Sequence, residues 1–368
     1  MDVPLFVRNI FANMAWSALG RRERTAYYPL TACFLVTYRC ELACGYCLEN
    51  VRHRCPDGVA RELDTAGVLR TLAGIRRVCD TIDLSGGEPA MRADLPIILA
   101  ACRELDFSEI MLNTNGLRLG DDLGFLADVD CVMVGVDSLR EEGFVRITGG
   151  TPDQHRRQLD SLERLHRLQE EHGFDLNLCS VIVPGMLDEI DVLLDWCFER
   201  HVGVSISPWT DRQFHVHEGL RRDPAYRELC ERLVEYRRRG LPLAGTLGYY
   251  ERLRDQAQFD CLPMSTLTLD PLGHVFWPCG EIQHPGKTFL EGKSYREIVD
   301  EARATWGPFP DCRDRCQYAC HMVFPDLVAR PWRLLSESLH HRSYRPFSVR
   351  KRRVARAAPA RRTSAPAR

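Results

Sequence analysis

The chain has 368 residues, 45 % of them hydrophobic, and a net charge of −2 at neutral pH, enough to bury a large core as two domains or one with an appendage. That balance argues against nucleic acid as a partner, and no apolar run approaches the ~20 residues needed to span a bilayer. Sixteen cysteines would mark a disulfide framework in a short secreted chain, but this one is long and shows no cleavable signal peptide, so the reducing cytoplasm is the expected compartment.

In chain order, residues 1–29 carry Val3, Val7, Ile10, Met14 and Ala18 at helical spacing, with Phe6, Phe11 and Trp16 widening the stripe before Gly20 ends it. This is an amphipathic helix. It either packs across the rest of the fold or lies on a membrane surface with Arg21, Arg22 and Arg24 at the lipid headgroups. From Tyr28 to Thr210, short apolar runs at 32–37, 81–84, 109–113, 131–136, 177–183 and 203–207 alternate with longer amphipathic stretches such as Leu159, Leu162, Leu165 and Leu168. Strands separated by helices of this length predict a parallel sheet of βα units, with ligand-contacting residues at the strands' C-terminal ends. Asp223 to Arg239 reads as a charged, solvated helix, and the Gly240-Leu-Pro-Leu-Ala-Gly245 stretch as a domain boundary.

Three cysteines, Cys40, Cys44 and Cys47, follow the first apolar run at C-x3-C-x2-C spacing. Such a set offers three thiolates to one centre, one fewer than a closed zinc site wants, and iron–sulfur cubanes are held by thiolates. After the second run comes Ser85-Gly86-Gly87-Glu88-Pro89, after the third Asn113-Thr114-Asn115-Gly116, and at the fourth Gly135-Val136-Asp137-Ser138 with Phe144-Val145-Arg146 beyond. Together these motifs resemble those of the radical S-adenosylmethionine (SAM) superfamily. The resemblance implies a partial (β/α)6 TIM-type barrel of α/β class over residues 30–245. It also implies a [4Fe-4S] cluster on the three cysteines whose fourth iron is chelated by SAM. The cofactor contacts it implies are Tyr46, Gly86, Gly87, Glu88, Pro89, Thr114, Asn115, Asp137 and Arg146, with Glu88 toward the ligand's ammonium. Gly135 stands where many relatives carry a serine for the ribose.

Residues 246–330 hold a second cysteine set. Cys261 precedes, and Cys279 ends, a hairpin turning at Pro271-Leu272-Gly273, and Cys312, Cys316 and Cys320 follow at C-x3-C-x3-C. This resembles the small cysteine-rich C-terminal domain of the SPASM and twitch branches, implying an auxiliary [4Fe-4S] cluster with one thiol to spare; a zinc knuckle is the alternative. The remaining cysteines, Cys131 and Cys197 among them, read as small buried hydrophobes. In residues 331–368 the charge is basic: from Arg330 on, eleven arginines and one lysine stand against one glutamate, about +11, leaving about −13 for the rest. That tail reads as disordered, with anionic lipid as a candidate contact.

The chemistry implied is one-electron cleavage of SAM to a 5′-deoxyadenosyl radical that abstracts hydrogen from a substrate, with an external donor of flavodoxin or ferredoxin type. Asp211, His215 and His217, after the sixth run, are candidate catalytic acids or bases, and Tyr249, Tyr250 and His274 have similar standing. The substrate reads as a peptide or small metabolite. The alternatives are a membrane lipid or isoprenoid, met at the inner face of the membrane, and a non-catalytic iron–sulfur or zinc protein. A molybdopterin-type cyclase is disfavoured by its missing C-terminal cysteine spacing and glycine-ended tail.

Overall fold

The computed structural model of the chain describes residues 4–18, 27–47, 61–211, 214–312 and 316–329. The side chain of Cys320 and the expectations for Arg21, Arg22, Arg24 and residues 331–368 lie outside these.

All six expected strands form: β1 (Thr31–Leu35), β2 (Thr81–Ser85), β3 (Glu109–Thr114), β4 (Cys131–Gly135), β5 (Asp175–Ile182) and β6 (Gly203–Pro208). They pair in parallel, each with its sequence neighbour. Alternation sets their faces. Ala32, Phe34, Ile82, Leu84, Ile110, Leu112, Val132 and Val134 are fully buried in the layer against the helices. The intervening positions, Cys33, Asp83, Met111 and Cys131, face the other way, into the barrel lumen, and keep partial exposure.

The helices of this wall are α2 (Thr65–Arg76), α3 (Leu95–Glu104), α4 (Glu141–Thr148), α5 (Pro152–His172) and α6 (Leu187–Arg200). Their starts follow local chemistry: α5 opens on a Thr151/Gln154 capping box with Pro152 in its first turn and ends at Gly173, φ 75°. After the four-residue α7 (Glu218–Arg221) comes α8 (Pro224–Arg238), which buries Tyr226, Leu229, Cys230, Leu233 and Val234. The expectation of a merely solvated helix overlooked that apolar stripe among the charges.

Beyond α8 the boundary expected at 240–245 is part of the barrel. Leu243 forms a parallel bridge with Val204, and the Ala244 N–H donates to the Val204 carbonyl at 2.8 Å, so the segment covers the free edge of β6. Helix α9 (Leu247–Asp255) follows, then β7 (Thr266–Leu269), β8 (His274–Trp277), β9 (His284–Thr288), α10 (Tyr295–Trp306) and α11 (Ala319–Ala329). The expected hairpin is present, with Leu269 opposite Val275. Yet β7 also pairs in parallel with β1, giving one nine-stranded sheet in the order β6-β5-β4-β3-β2-β1-β7-β8-β9.

Helix α1 (Leu5–Ala18) packs on the barrel, beside α11. Its buried face is Phe6, Asn9, Ile10 and Asn13, rotated from the apolar stripe read in the sequence. The two asparagines decide this: Asn9 donates to the carbonyls of Pro29 and Val78, and Asn13 exchanges two hydrogen bonds with the Tyr28 backbone. Phe11 is left 61 % exposed. No described helix is long and apolar enough to cross a membrane.

Candidate functional site

The cysteine loop leaves the C-terminal end of β1 and is stitched to the loop after β2. The Gly87 N–H donates to the Thr37 carbonyl and the Glu88 N–H to the Arg39 carbonyl, both at 2.7 Å. Both glycines are required by this approach. A Cβ on Gly86 would sit 2.3 Å from the Thr37 oxygen and one on Gly87 2.2 Å from that of Arg39. Behind the loop, Arg92 donates to the Val36 and Leu63 carbonyls and pairs with Asp94 at 2.7 Å, while Arg39 pairs with Glu62 at 2.8 Å. None of these four side chains was singled out by sequence spacing.

On its far side the loop is held by α4 and β4. Ala43 and Gly45 donate their N–H groups to the Thr148 and Ile147 carbonyls at the C-terminus of α4. The Tyr46 hydroxyl donates to the carboxylate of Asp137, which also accepts from the Val181 N–H at 2.8 Å. Burial raises the Asp137 carboxyl to about 6. So the aromatic residue before the last cysteine ties the loop to the end of β4.

Glu88 is fully buried, and its carboxylate accepts from the Ala90 N–H (2.9 Å), the Thr114 hydroxyl (2.7 Å) and the Asn115 N–H (2.6 Å). Burial lifts its carboxyl to about 7. It therefore braces the ends of β2 and β3. Pro89 is buried in the short turn that follows. Asn115 points its amide at the Cys40 sulfur, 3.8 Å away. Arg146 is exposed on α4.

Gln158 on α5 was not anticipated, because it lies in a run of charged residues with no motif around it. It is 1 % exposed and donates to the Asn115 and Gly135 carbonyls at 2.9 and 3.0 Å. Its own Oε1 is buried and unpartnered. Trp209 was also missed, although its place just past β6 could have pointed to it. Its indole lies 3.4 Å from where a Gly45 Cβ would be, and its ring meets Tyr46 edge-on, centroids 6.3 Å apart.

The loop after β6 is a small turn in which Asp211 Oδ1 accepts from the His215 N–H at 3.0 Å and its Oδ2 lies 3.5 Å from His215 Nδ1. His217 Nδ1 accepts from the Gly219 N–H, capping α7, and its ring packs on Trp209. Asp211 and His215 thus sit together at the barrel rim, while His217 acts locally. Tyr249 and Tyr250 are buried, with hydroxyls donated to the carbonyls of Ile206 and Ala244. His274 pairs with Asp270 at 2.9 Å in the hairpin turn, which raises its pKa.

Among the described residues the three thiols are not gathered into a ready metal-binding group, and burial above all pushes the Cys40 thiol up to about 11 and Cys44 higher still, so a cluster assembling there would have to displace tightly held protons. Two features beside them fit a bound small molecule such as SAM. Gly135 leaves open space, its Cβ position meeting nothing nearer than the Thr114 oxygen at 3.9 Å. The orphaned Gln158 oxygen stands at the same strand ends. In the second set, Cys261, Cys279 and Cys312 are partly exposed and Cys316 is buried, the Cys316 N–H donating to the Cys312 carbonyl at 3.1 Å. Cys131 faces the lumen, correcting its reading as a small core hydrophobe, whereas Cys197 is fully buried as expected.

A family model described as the Radical SAM superfamily matches residues 34–197. Among curated proteins, the chain is 30 % identical over 166 residues to a GTP 3′,8-cyclase of Tolumonas auensis, covering 44 % of this chain and 47 % of that one. It is 32 % identical over 163 residues to a PqqA peptide cyclase of Methylobacterium nodulans, covering 44 % and 41 %. The chain thus spans less than half the length of these relatives. Among solved structures, Streptococcus suis SuiB bound to S-adenosylmethionine aligns with a TM-score of 0.57 at 18 % identity, over 83 % of this chain and 71 % of that one.

Proposed function

We propose that this chain, whose residues 34–197 match the Radical SAM superfamily model, is a radical SAM enzyme that abstracts a hydrogen atom from a peptide or small-metabolite substrate. It would hold a [4Fe-4S] cluster through Cys40, Cys44 and Cys47, and an auxiliary cluster through the set from Cys261 to Cys320. The observation that carries this reading is the pair of hydrogen bonds locking the glycine-rich loop onto the loop that holds Cys40, Cys44 and Cys47. When bound, the cluster supplies one electron, drawn from an external flavodoxin- or ferredoxin-type donor, to the SAM sulfonium, releasing methionine and a 5′-deoxyadenosyl radical. The protein orients and excludes water. Tyr46 and Asp137 hold the loop, Gln158 fixes the ends of β3 and β4, and Trp209 covers Gly45 from the β6 side.

Peptide as the substrate class is favoured by the relative called a PqqA peptide cyclase and by SuiB, also seen bound to the precursor peptide SuiA. The lipid alternative loses support because α1 buries Phe6 and Ile10 against the protein. The test is anaerobic turnover. The wild-type chain, reconstituted with iron and sulfide, is expected to form 5′-deoxyadenosine and to hold about eight irons, two cubanes' worth. Cys44→Ala is expected to form none, and Cys261→Ala to hold about four. Cleavage surviving in Cys44→Ala overturns the reading, and about four irons in the wild type removes the auxiliary cluster.

A further inference from the structure

Below the cysteine loop, in the N-terminal half of the barrel, lies a cavity of about 230 Å³. Its walls are the lumen faces of β1 to β6, and α11 closes it with Val323, Phe324 and Leu327. No Lys, Arg or His is among its lining residues, yet Glu109 and Asp175 are. Asp83, a lumen residue beside Met111 in register, adds a third carboxyl. Its Oδ1 is buried without a hydrogen-bond partner. Thr266, 6 % exposed, likewise holds a buried, unpartnered hydroxyl, and its register opposite the lining residue Thr31 puts it on the cavity face. Unmet polar atoms of this kind are costly in a finished interior. Thr31, which lines the cavity, holds a third such atom, its Oγ1, and Asp83 and Thr266 adjoin the lining through their strand registers.

We propose that this lower lumen binds a substrate group ending in an alkyl-linked cation, a primary ammonium or guanidinium, with Asp83 and Glu109 as its counter-charges. The inference rests on the proposed function, whose radical would be generated at the strand ends above. Asp83 lies two residues before Ser85 and three before Gly86, roughly 7–10 Å along the strand. That interval is about the reach of an extended lysine or arginine side chain. The cavity wall between is apolar, with Met111, Met133 and Ile206 suited to a methylene stem. A carboxylate substrate would find no Lys, Arg or His in the lining to offset its charge.

The test is calorimetric titration of the full, anaerobically reconstituted chain with n-pentylammonium, n-pentanol and pentanoate, alongside SAM cleavage by the same preparation. Charge-assisted hydrogen bonds predict that n-pentylammonium binds at least about tenfold tighter than either analogue. Asp83→Asn and Glu109→Gln should each remove about tenfold of that affinity. Equal binding of the three probes by the wild type overturns the proposal even if neither variant folds, and variants that bind the ammonium unchanged overturn it too. Cleavage without selective ammonium binding leaves the radical reading intact and sinks this one; selective binding without cleavage does the reverse.

Discussion

Gly87 shows how narrowly the site is specified at single residues. Its missing side chain is what lets two loops share backbone hydrogen bonds, so Gly87→Ala must push the Arg39 carbonyl away. The expected result is a loss of SAM affinity of at least about tenfold, read by equilibrium dialysis, with destabilisation of about 1–3 kcal/mol. Glu109 offers a different measurement. Burial, then the nearby Asp130, Asp175 and Asp80, raise its carboxyl from 4.5 to about 8. A raised folded-state value means that its contribution to stability is complete below about 4.5 and is lost as pH climbs through about 8. Glu109→Gln does not titrate, so its stability relative to wild type should grow between pH 5 and 8.5, on the order of a few kcal/mol. Urea midpoints across that range check it, and a flat difference would contradict the assignment. At this scale the sequence was legible where a residue type has one use at one spacing, as with Gly86 and Gly87. It was opaque where the role depends on distant partners. That Glu88 also braces β2 against β3 shows only once Thr114 and Asn115 are placed beside it.

Among elements, α1 carries the clearest lesson. Its amphipathic pattern is plain, but its orientation comes from Asp80, 74 residues away from Phe6, whose carboxylate accepts from the Leu5 and Phe6 N–H groups at 2.8 and 2.9 Å and from the Ser108 hydroxyl at 2.9 Å. Asp80 is 1 % exposed, so the helix start is capped from within the barrel floor. Asp80→Ala should cost about 2–3 kcal/mol, from the lost cap and the orphaned donors. Native-state trypsin digestion should then cut at Arg8 faster than in wild type; an unchanged rate would show that α1 is held by its apolar face alone. The strands were legible because alternation has a period of two whatever the partner. The rotation of α1 was not, because Asn9 and Asn13 read as polar and are buried by carbonyls that no local pattern reveals.

For the whole molecule, the barrel and the cysteine-rich region form one hydrogen-bonded sheet. The turn residues at 240–245 suggested a boundary because glycine and proline punctuate local structure, and nothing local announces that Leu243 joins β6 or that β7 joins β1. A fragment of residues 1–245 would expose one full edge of β1 and lose the Arg252–Asp326 pair, at 2.8 Å, that binds α9 to α11. It should therefore show no cooperative thermal transition by circular dichroism, and a sharp melt near that of the full chain would argue for a separable barrel. The β1–β7 ladder also bears on electron traffic. The first cysteine set hangs from the end of β1, and Cys279 ends the hairpin that β7 begins, so the spacing between the two sets is held by a rigid ladder and not by a hinge. Were both sets to carry clusters as proposed, that ladder would fix the distance an electron has to cross between them, and tunnelling falls off exponentially with distance.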